Sequence, residues 1–450
     1  MRKTLALAML LFASFALPAF AQFKDYPQAV GKVQPLEFPE LPSWMTLDMD
    51  LRARGEGQTA INYQSGNAQA YMMTRVRGGL QVRPANWLSA YVQFHDTHAL
   101  GLPLAYTAAN MRDNFDFRQA YLNFHIKPVS IFAGREELKF GDERVLGIAD
   151  WTNNSRTFDG FDARIGEKNR VDLFSASVVA IYPTALDMHA GGLTFHGAYG
   201  SINSWVPRTT IEPYVFIKAM PRVKSQQNVF GTETEVTPGI RVGGNAPAGF
   251  DYVVEGALNR GSYSNDSIHA GAAYAKAGYT AVHLPWRPRL QGEYDYATGN
   301  PHRNPQRIGT FDQQYPSAHN VFGLVDLFGW QNVRQERVNL SLSPAAHLTV
   351  LIQQEFLEVA TRRDGVYSGG GSEFLKPPAT GFASDVIGRG FDASMKYVIH
   401  NNLMVNAGVG HFSPGAVMTG NSYGAPLTLS FLGLTYRFKL DRTETAQGPK

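Results

Sequence analysis

Residues 47–54 constrain the fold more than any other stretch of the chain. Leu47, Met49, Leu51 and Ala53 alternate with Asp48, Asp50, Arg52 and Arg54. Successive side chains of a β-strand point to opposite faces, so the segment carries four apolar groups on one side and four charges on the other. A packed core rejects the charged side, because burying unpaired charge costs more than the strand gains. A wall between lipid and a hydrated lumen accepts both sides. Composition points the same way. Charged residues make up 18 % of the 450, against roughly 25 % in soluble domains. Aromatic residues make up 12 %, yet the mean hydropathy of −0.22 is too polar for a bundle of membrane helices. No apolar run of helix-spanning length follows residue 21. The absence of Cys removes disulfides, thiolate catalysis and Cys-ligated metals.

The chain opens with Arg2 and Lys3, an apolar run over 4–18 and Ala19-Phe20-Ala21, which read as a signal peptide over 1–21 with the mature chain starting at Gln22. Without the two leading cations the chain has 39 Lys and Arg against 38 Asp and Glu, a balance that gives no reason to expect nucleic acid as a partner. Residues 22–44 carry Pro27, Pro35, Pro39 and Pro42 and are expected to form an extended periplasmic lead-in.

From residue 45 to 438 the alternation recurs in segments joined by short and long connections in turn. Short turns are expected near 84–86, 127–128, 166–168, 201–207, 245–248, 280–286, 344–346 and 400–402, where Pro, Gly and Asn supply the turn dihedrals. Longer polar connections are expected at 55–70, 99–115, 139–155, 180–188, 220–234, 260–266, 299–332, 358–385 and 413–426. The pattern predicts an all-β fold, a transmembrane antiparallel β-barrel of about 18 strands with both ends on the short-turn side. The closing segment 427–438 ends in Tyr436-Arg437-Phe438, the aromatic ending that outer-membrane barrels present to their assembly machinery, and 439–450 read as a polar tail. A soluble propeller would show a repeat of about 40 residues, and none is present.

Alternation assigns an inward set: Asp48, Asp50 and Arg52; Arg75 and Arg77; Asp162 and Arg164; Glu212 and Lys218; Arg241; Asp251 and Glu255; Arg289, Glu293 and Asp295; Arg337; Glu355; Asp392 and Lys396. A fixed Arg attracts a carboxylate about 4 Å away by about 1 kcal/mol in water and about 4 kcal/mol at an effective dielectric near 20. Several such sites in series can hold and release an acidic chain. Charges of both signs in a barrel also pair across strands and brace the wall, and the pattern leaves both readings open. The connection 299–332 holds Phe311, Asp312, Tyr315, His319, Phe322, Phe328 and Trp330 and is too aromatic for a solvated tip. It is expected to fold over or into the mouth, packed on the rim or acting as a lid whose aromatics stack on sugars. No hydrolase elbow, zinc-protease, Walker or EF-hand motif occurs, and His95 and His98 fall on opposite strand faces. No metal or cofactor is expected.

Three stretches carry a specific likeness: 134–147, with Gly134-Arg135-Glu136 and Gly141-Asp142-Glu143-Arg144; 151–164, with Arg156-Thr157-Phe158-Asp159-Gly160; and 309–330, with Gly309-Thr310-Phe311-Asp312 and Asp326-Leu327-Phe328-Gly329-Trp330. Together they resemble the alginate-export porin family. The resemblance implies an 18-stranded monomeric barrel in the outer membrane of a Gram-negative bacterium, with lumenal Arg and Lys conducting a polyuronate past a few acidic residues. By position it nominates Arg135 and Glu136, and Arg156 and Asp159, for the lumen lining. Alternation alone leaves the phase of the strand holding Arg135 and Glu136 open. The chain departs from the family pattern in its near-zero net charge and in having no periplasmic turn long enough for a plug. The expected function is passive, selective passage of an anionic oligo- or polysaccharide. The alternatives are a general or small-acid diffusion porin and a rim-site outer-membrane hydrolase. Expected partners are outer-membrane lipid, the anionic saccharide, the barrel assembly machinery and a periplasmic export partner.

Overall fold

The structure, a computed structural model, describes residues 41–301, 306–400 and 402–440. The signal segment, most of the lead-in and the tail beyond Leu440 lie outside the described residues. The chain forms β1 (Met45–Thr59), β2 (Ala68–Ala85), β3 (Leu88–Leu100), β4 (Asp113–Ile126), β5 (Val129–Glu136) and β6 (Phe158–Ile165). It continues through β7 (Asn169–Ala180), β8 (Thr194–Ile202), β9 (Thr209–Lys224), β10 (Phe230–Asn245), β11 (Phe250–Tyr263) and β12 (Asp266–Thr280). The circuit is completed by β13 (Arg289–Ala297), β14 (Val333–Ala345), β15 (Leu348–Val359), β16 (Val386–His400), β17 (Leu403–Pro414) and β18 (Leu427–Leu440). Each strand pairs antiparallel with its neighbours, and β1 closes on β18 from Leu47↔Leu440 to Thr59↔Thr428. The result is a closed 18-stranded antiparallel barrel. Closure leaves no unpaired edge in hydrocarbon, where each orphaned backbone group would cost several kcal/mol.

The outer face follows from the alternation. Val76, Phe161, Ile240, Val254, Leu258, Leu290 and Val338 are exposed on the wall, while Arg75, Arg77, Asp162, Glu255 and Arg337 on the same strands are buried inside. Trp87 stacks on Phe124, and Phe250 packs on Tyr279, at the short-turn end, forming part of an aromatic girdle.

The connections alternate short and long as expected, with two differences. The segments read as long connections at 220–234 and 260–266 are strand for most of their length, leaving turns of only 225–229 and 264–265. Their polar residues alternate in strands that stand clear of the apolar band, so polarity there marks height above the membrane and not loop. The last strand also runs two residues beyond 438, to Leu440.

Candidate functional site

The lumen is organised by a loop that no strand pattern could reveal. Residues 137–157 turn inward and span the barrel from one wall to the other. On the β1–β3 side, Arg52 donates to the carbonyl oxygens of Asp150 (2.8 Å) and Thr152 (2.7 Å). Arg75 and Arg77 both reach Asp150 Oδ1, at 2.9 and 3.1 Å, and Arg77 also donates to Asn154 O (2.8 Å) and Ser155 Oγ (2.7 Å). On the opposite side, Asp142 meets Arg241 (2.5 Å), Lys276 (2.5 Å) and the Tyr274 hydroxyl (2.8 Å), and Arg144 pairs with Glu293 and Asp295. Burial opposes ionisation of Asp150, but Arg75, Arg77 and Arg52 overcome it and hold the carboxyl well below the usual carboxylate range.

Loop 298–332 locks onto this span. Tyr315 N donates to Val145 O (2.9 Å), Gly147 N to Tyr315 O (2.8 Å) and Ser317 N to Glu143 O (2.8 Å). Arg156 donates to the carbonyl oxygens of Gly147 and Tyr315, both at 2.6 Å. Asp312 pairs with Lys218, and its N–H donates to Asn259 Oδ1 at 2.8 Å. His319 lies flat on Trp151 with ring centroids 3.7 Å apart, and the Arg54 guanidinium sits 3.7 Å from the same indole. Phe311, Phe322, Phe328 and Trp330 are buried: Phe311 packs on Trp330, and Phe328 on Phe412 and Phe374. Tyr315 enters a cluster with Phe158 and Phe195, beside Phe174, Phe216, Tyr199 and Tyr214 on the inner faces of β7–β9. The expected lid aromatics are therefore engaged in packing, not presented for stacking on a sugar.

The inward set points inward as alternation assigned it, and most of it is paired. Asp50 binds Arg75 and Arg437; Asp48 accepts from the Tyr91 hydroxyl (3.1 Å); Glu255 accepts from Tyr214 (2.7 Å). Arg289 pairs with Asp251 (2.5 Å), Arg337 with Glu293 (2.7 Å), and Glu355 accepts from Gln335 (2.7 Å). Lys218 bridges Glu233 (2.9 Å) and Asp312, and Arg241 bridges Asp142 and Glu212. Lys396 is half-buried on β16, opposite Thr349 and Asn406.

Two nominated residues need correction. Glu136 faces the lumen and accepts from Arg164 Nη2 (2.7 Å), so its neighbour Arg135 faces outward. Asp159, opposite Arg135 in register and next to the inward Phe158, shares that outer face. The two bind each other at 2.7 and 3.0 Å near the rim, and Arg135 also donates to Asp187 O (2.9 Å). They brace the short β5 and β6 and do not line the pore. Arg156 lies inside, but on the loop and spent on backbone carbonyls. Gly134 precedes this pair with φ +132°; a Cβ there would lie 2.2 Å from Ala120 O, so the motif's glycine is required by the approach of β4.

Below the inward loop, the wall formed by β4–β7 holds a polar basin of about 360 Å³ lined by Gln119, Tyr121, Phe132, Glu136, Glu137, Lys139, Phe140, Arg164, Arg170 and Asp172. Arg164 lies 3.9 Å over the Phe132 ring and donates to Asp162 (2.5 Å). Here the cations keep water contact: the side chains of Lys139, Arg164 and Arg170 are 28 %, 31 % and 45 % exposed, while that of Arg75 is 0 %.

The alginate export family profile matches residues 43–423, nearly the whole barrel. The chain belongs to the alginate export family. No curated protein matches it in sequence. Among solved structures, OccK8 (OprE) of Pseudomonas aeruginosa is similar with a TM-score of 0.61 at 11 % identity, covering 88 % of this chain and 98 % of that one. OpdK of the same organism, solved with vanillate, gives 0.61 at 10 % over 88 % and 98 %, and OccAB2 of Acinetobacter baumannii gives 0.60 at 9 % over 89 % and 100 %. At such identities the likeness shows the barrel fold alone. This alginate export family member is an outer-membrane channel protein. In it, sequence reasoning missed Arg118, Asp142, Arg144, Asp150, Lys139 and Arg170 as lumen residues. Asp142 and Arg144 lay within the motif that carried the family likeness, and Arg170 was reachable by extending the alternation of β7 from Asp172.

Proposed function

We propose that this family member passes anionic saccharides of the alginate-like polyuronate class, as polymer or short oligomer, passively and as a monomer through the outer membrane of a Gram-negative bacterium. The observation that carries the reading is the β4–β7 basin. It combines water-exposed cations on Lys139, Arg164 and Arg170 with the rings of Tyr121, Phe132 and Phe140, the pairing that holds a sugar acid by its carboxylate and its apolar face. Glu136, Glu137 and Asp172 beside them weaken the hold, which suits passage better than capture. Planar-bilayer conductance tests the reading. Polyuronate is expected to block the wild-type current, and Lys139→Gln with Arg170→Gln to weaken block by roughly tenfold, about 1.4 kcal/mol, at unchanged open current. Equal block in both proteins would remove the basin from the path.

A small-acid diffusion porin is the second reading, favoured by loop 137–157, which crosses the lumen from Arg75 on one wall to Arg241 on the other and so narrows it. Neighbouring OpdK was solved with vanillate. Current insensitive to polyuronate but reduced by a monomeric sugar or aromatic acid would support this reading instead. We assign no catalysis. Ser175 Oγ does lie 2.9 Å from His196 Nδ1 on the outer wall, but His411 with Thr428 makes the same pairing there. Lipid-facing polar groups need such partners. Among the described residues no carboxylate orients His196.

A further inference from the structure

Where loop 181–193 crosses the outward-facing end of β4, three carboxylates converge. Asp113, Asp116 and Asp187 each place an oxygen within 4.8 Å of the others. Asp113 and Asp116 are buried, at 0 % and 2 % exposure. Among the described residues no Lys or Arg forms an ion pair with any of the three. The neighbouring Arg135 guanidinium is committed to both oxygens of Asp159 and touches Asp187 only at its backbone carbonyl. Concentrated buried negative charge of this kind is costly unless something positive sits within it.

A second observation points to what that is. Asp113 receives His95 Nε2 on Oδ2 at 2.7 Å, but its Oδ1 is fully buried with no hydrogen-bond partner. Glu293 and Asp295, also buried, meet the Arg144 guanidinium. The other acidic trio, Glu233, Glu235 and Asp312, encloses the Lys218 ammonium. Among the described residues the Asp113 group has no such cation.

We propose that Asp113, Asp116 and Asp187 bind a divalent cation, Ca2+ in preference to Mg2+. Two oxygens bound to one Ca2+ at 2.3–2.6 Å are at most about 5 Å apart, and the three carboxylates fit inside that sphere. Hard carboxylate ligands drawn from a strand and a loop suit the flexible coordination of Ca2+ and not the rigid octahedron of Mg2+. The neighbouring cavity of about 190 Å³, lined by His95, Asn110 and Asp187 among others, gives an ion a way in. Backbone bonds hold the ligands in place: Asp187 N donates to Asp116 Oδ2 at 2.5 Å, and Tyr182 N to Asp187 Oδ1 at 2.6 Å. The ion fastens loop 181–193 over the short strands β5 and β6.

The test uses the purified full-length barrel in detergent, freed of divalent ions, titrated calorimetrically with CaCl2 and with MgCl2. One Ca2+ site is expected, with an affinity in the range of roughly 10⁻⁴–10⁻³ M seen for extracellular sites. Ca2+ is also expected to raise the thermal midpoint. Asp187→Asn, on the exposed loop, is expected to weaken binding at least tenfold and abolish the thermal shift, and Asp113→Asn to do the same. Glu235→Gln is expected to leave both intact. Absence of Ca2+ binding to the native barrel, unchanged binding in Asp187→Asn, or loss in Glu235→Gln alone would overturn the site. Mg2+ binding as tight as Ca2+ would overturn the choice of ion. Polyuronate block plays no part in this readout, so the transport reading and the cation site stand or fall separately.

Discussion

Arg75 shows how one residue can fit a pattern and serve a different end. It is inward, cationic and placed on the strand face that alternation assigned to substrate, yet its guanidinium joins Asp50 at 3.0 Å and Asp150 at 2.9 Å. A cation so enclosed braces the inward loop instead of greeting a solute. Removing one member of a buried pair leaves the other charge uncompensated, which costs about 3–5 kcal/mol. Arg75→Ala with Arg77→Ala is therefore expected to free loop 137–157, raising single-channel conductance and current noise and lowering the thermal midpoint, while polyuronate block persists. Lost block at unchanged conductance would restore these two residues to the substrate path. Trp151 carries a related role, with Arg54 and His319 each 3.7 Å from its ring. Trp151→Ala is expected to loosen both inward loops together, seen as faster hydrogen exchange in 143–151 and 315–322.

At the scale of elements, strands and loops differ in how far the sequence shows them. Where a strand in this wall crosses the bilayer it meets lipid on one side, so its residues there carry a local, period-two signature, as Asp48 to Arg54 do. That is why the barrel, its turns and the facing of Arg77, Glu255 or Arg337 are legible in the order of residues alone. The inward loops have no such signature. What seats Asp150 is Arg75, some 75 positions earlier, and what seats Arg144 is Glu293, about 150 later. β5 is ambiguous for a different reason: with eight residues and charges at 135 and 136, either phase satisfies the alternation, and only pairing with β6 decides it.

Loop 298–332 also carries a pH dependence. Burial, with Glu56 nearby, pushes the Asp326 carboxyl up to about 6, while burial and Arg54 hold His319 well below its usual range, so the imidazole stays neutral. A carboxyl whose folded pKa lies above its unfolded value near 4 holds the loop best below that value and loses hold as pH rises through 6. Segment 317–328 is expected to exchange amide hydrogens more slowly at pH 5 than at pH 7.5, once the intrinsic pH dependence of exchange is divided out. Equal protection, or the reverse order, would remove Asp326 as the controlling group.

For the whole molecule, the hydrocarbon-facing wall and the filled interior impose separate demands. Val254 is half exposed on the outside of β11, next to the inward Glu255. Val254→Arg is expected to cost about 2–4 kcal/mol if it lies near mid-bilayer, less toward the interfaces, measured as loss of the heat-resistant folded form in detergent. Trp330→Ala, inside, is expected to cost about 3–5 kcal/mol through its cavity against Phe311 and Tyr274. The first measurement reports the solvent outside and the second the loops within.

Asp50 stands on the first strand and binds Arg437 on the last, while Arg75, its other partner, grips the inward loop at Asp150. The clasp that steadies the middle of the tube is thus tied to the joint where the first and last strands meet. A change that slackens this seam is therefore passed to the loop through two shared ion pairs, and a change in the loop is passed back to the seam.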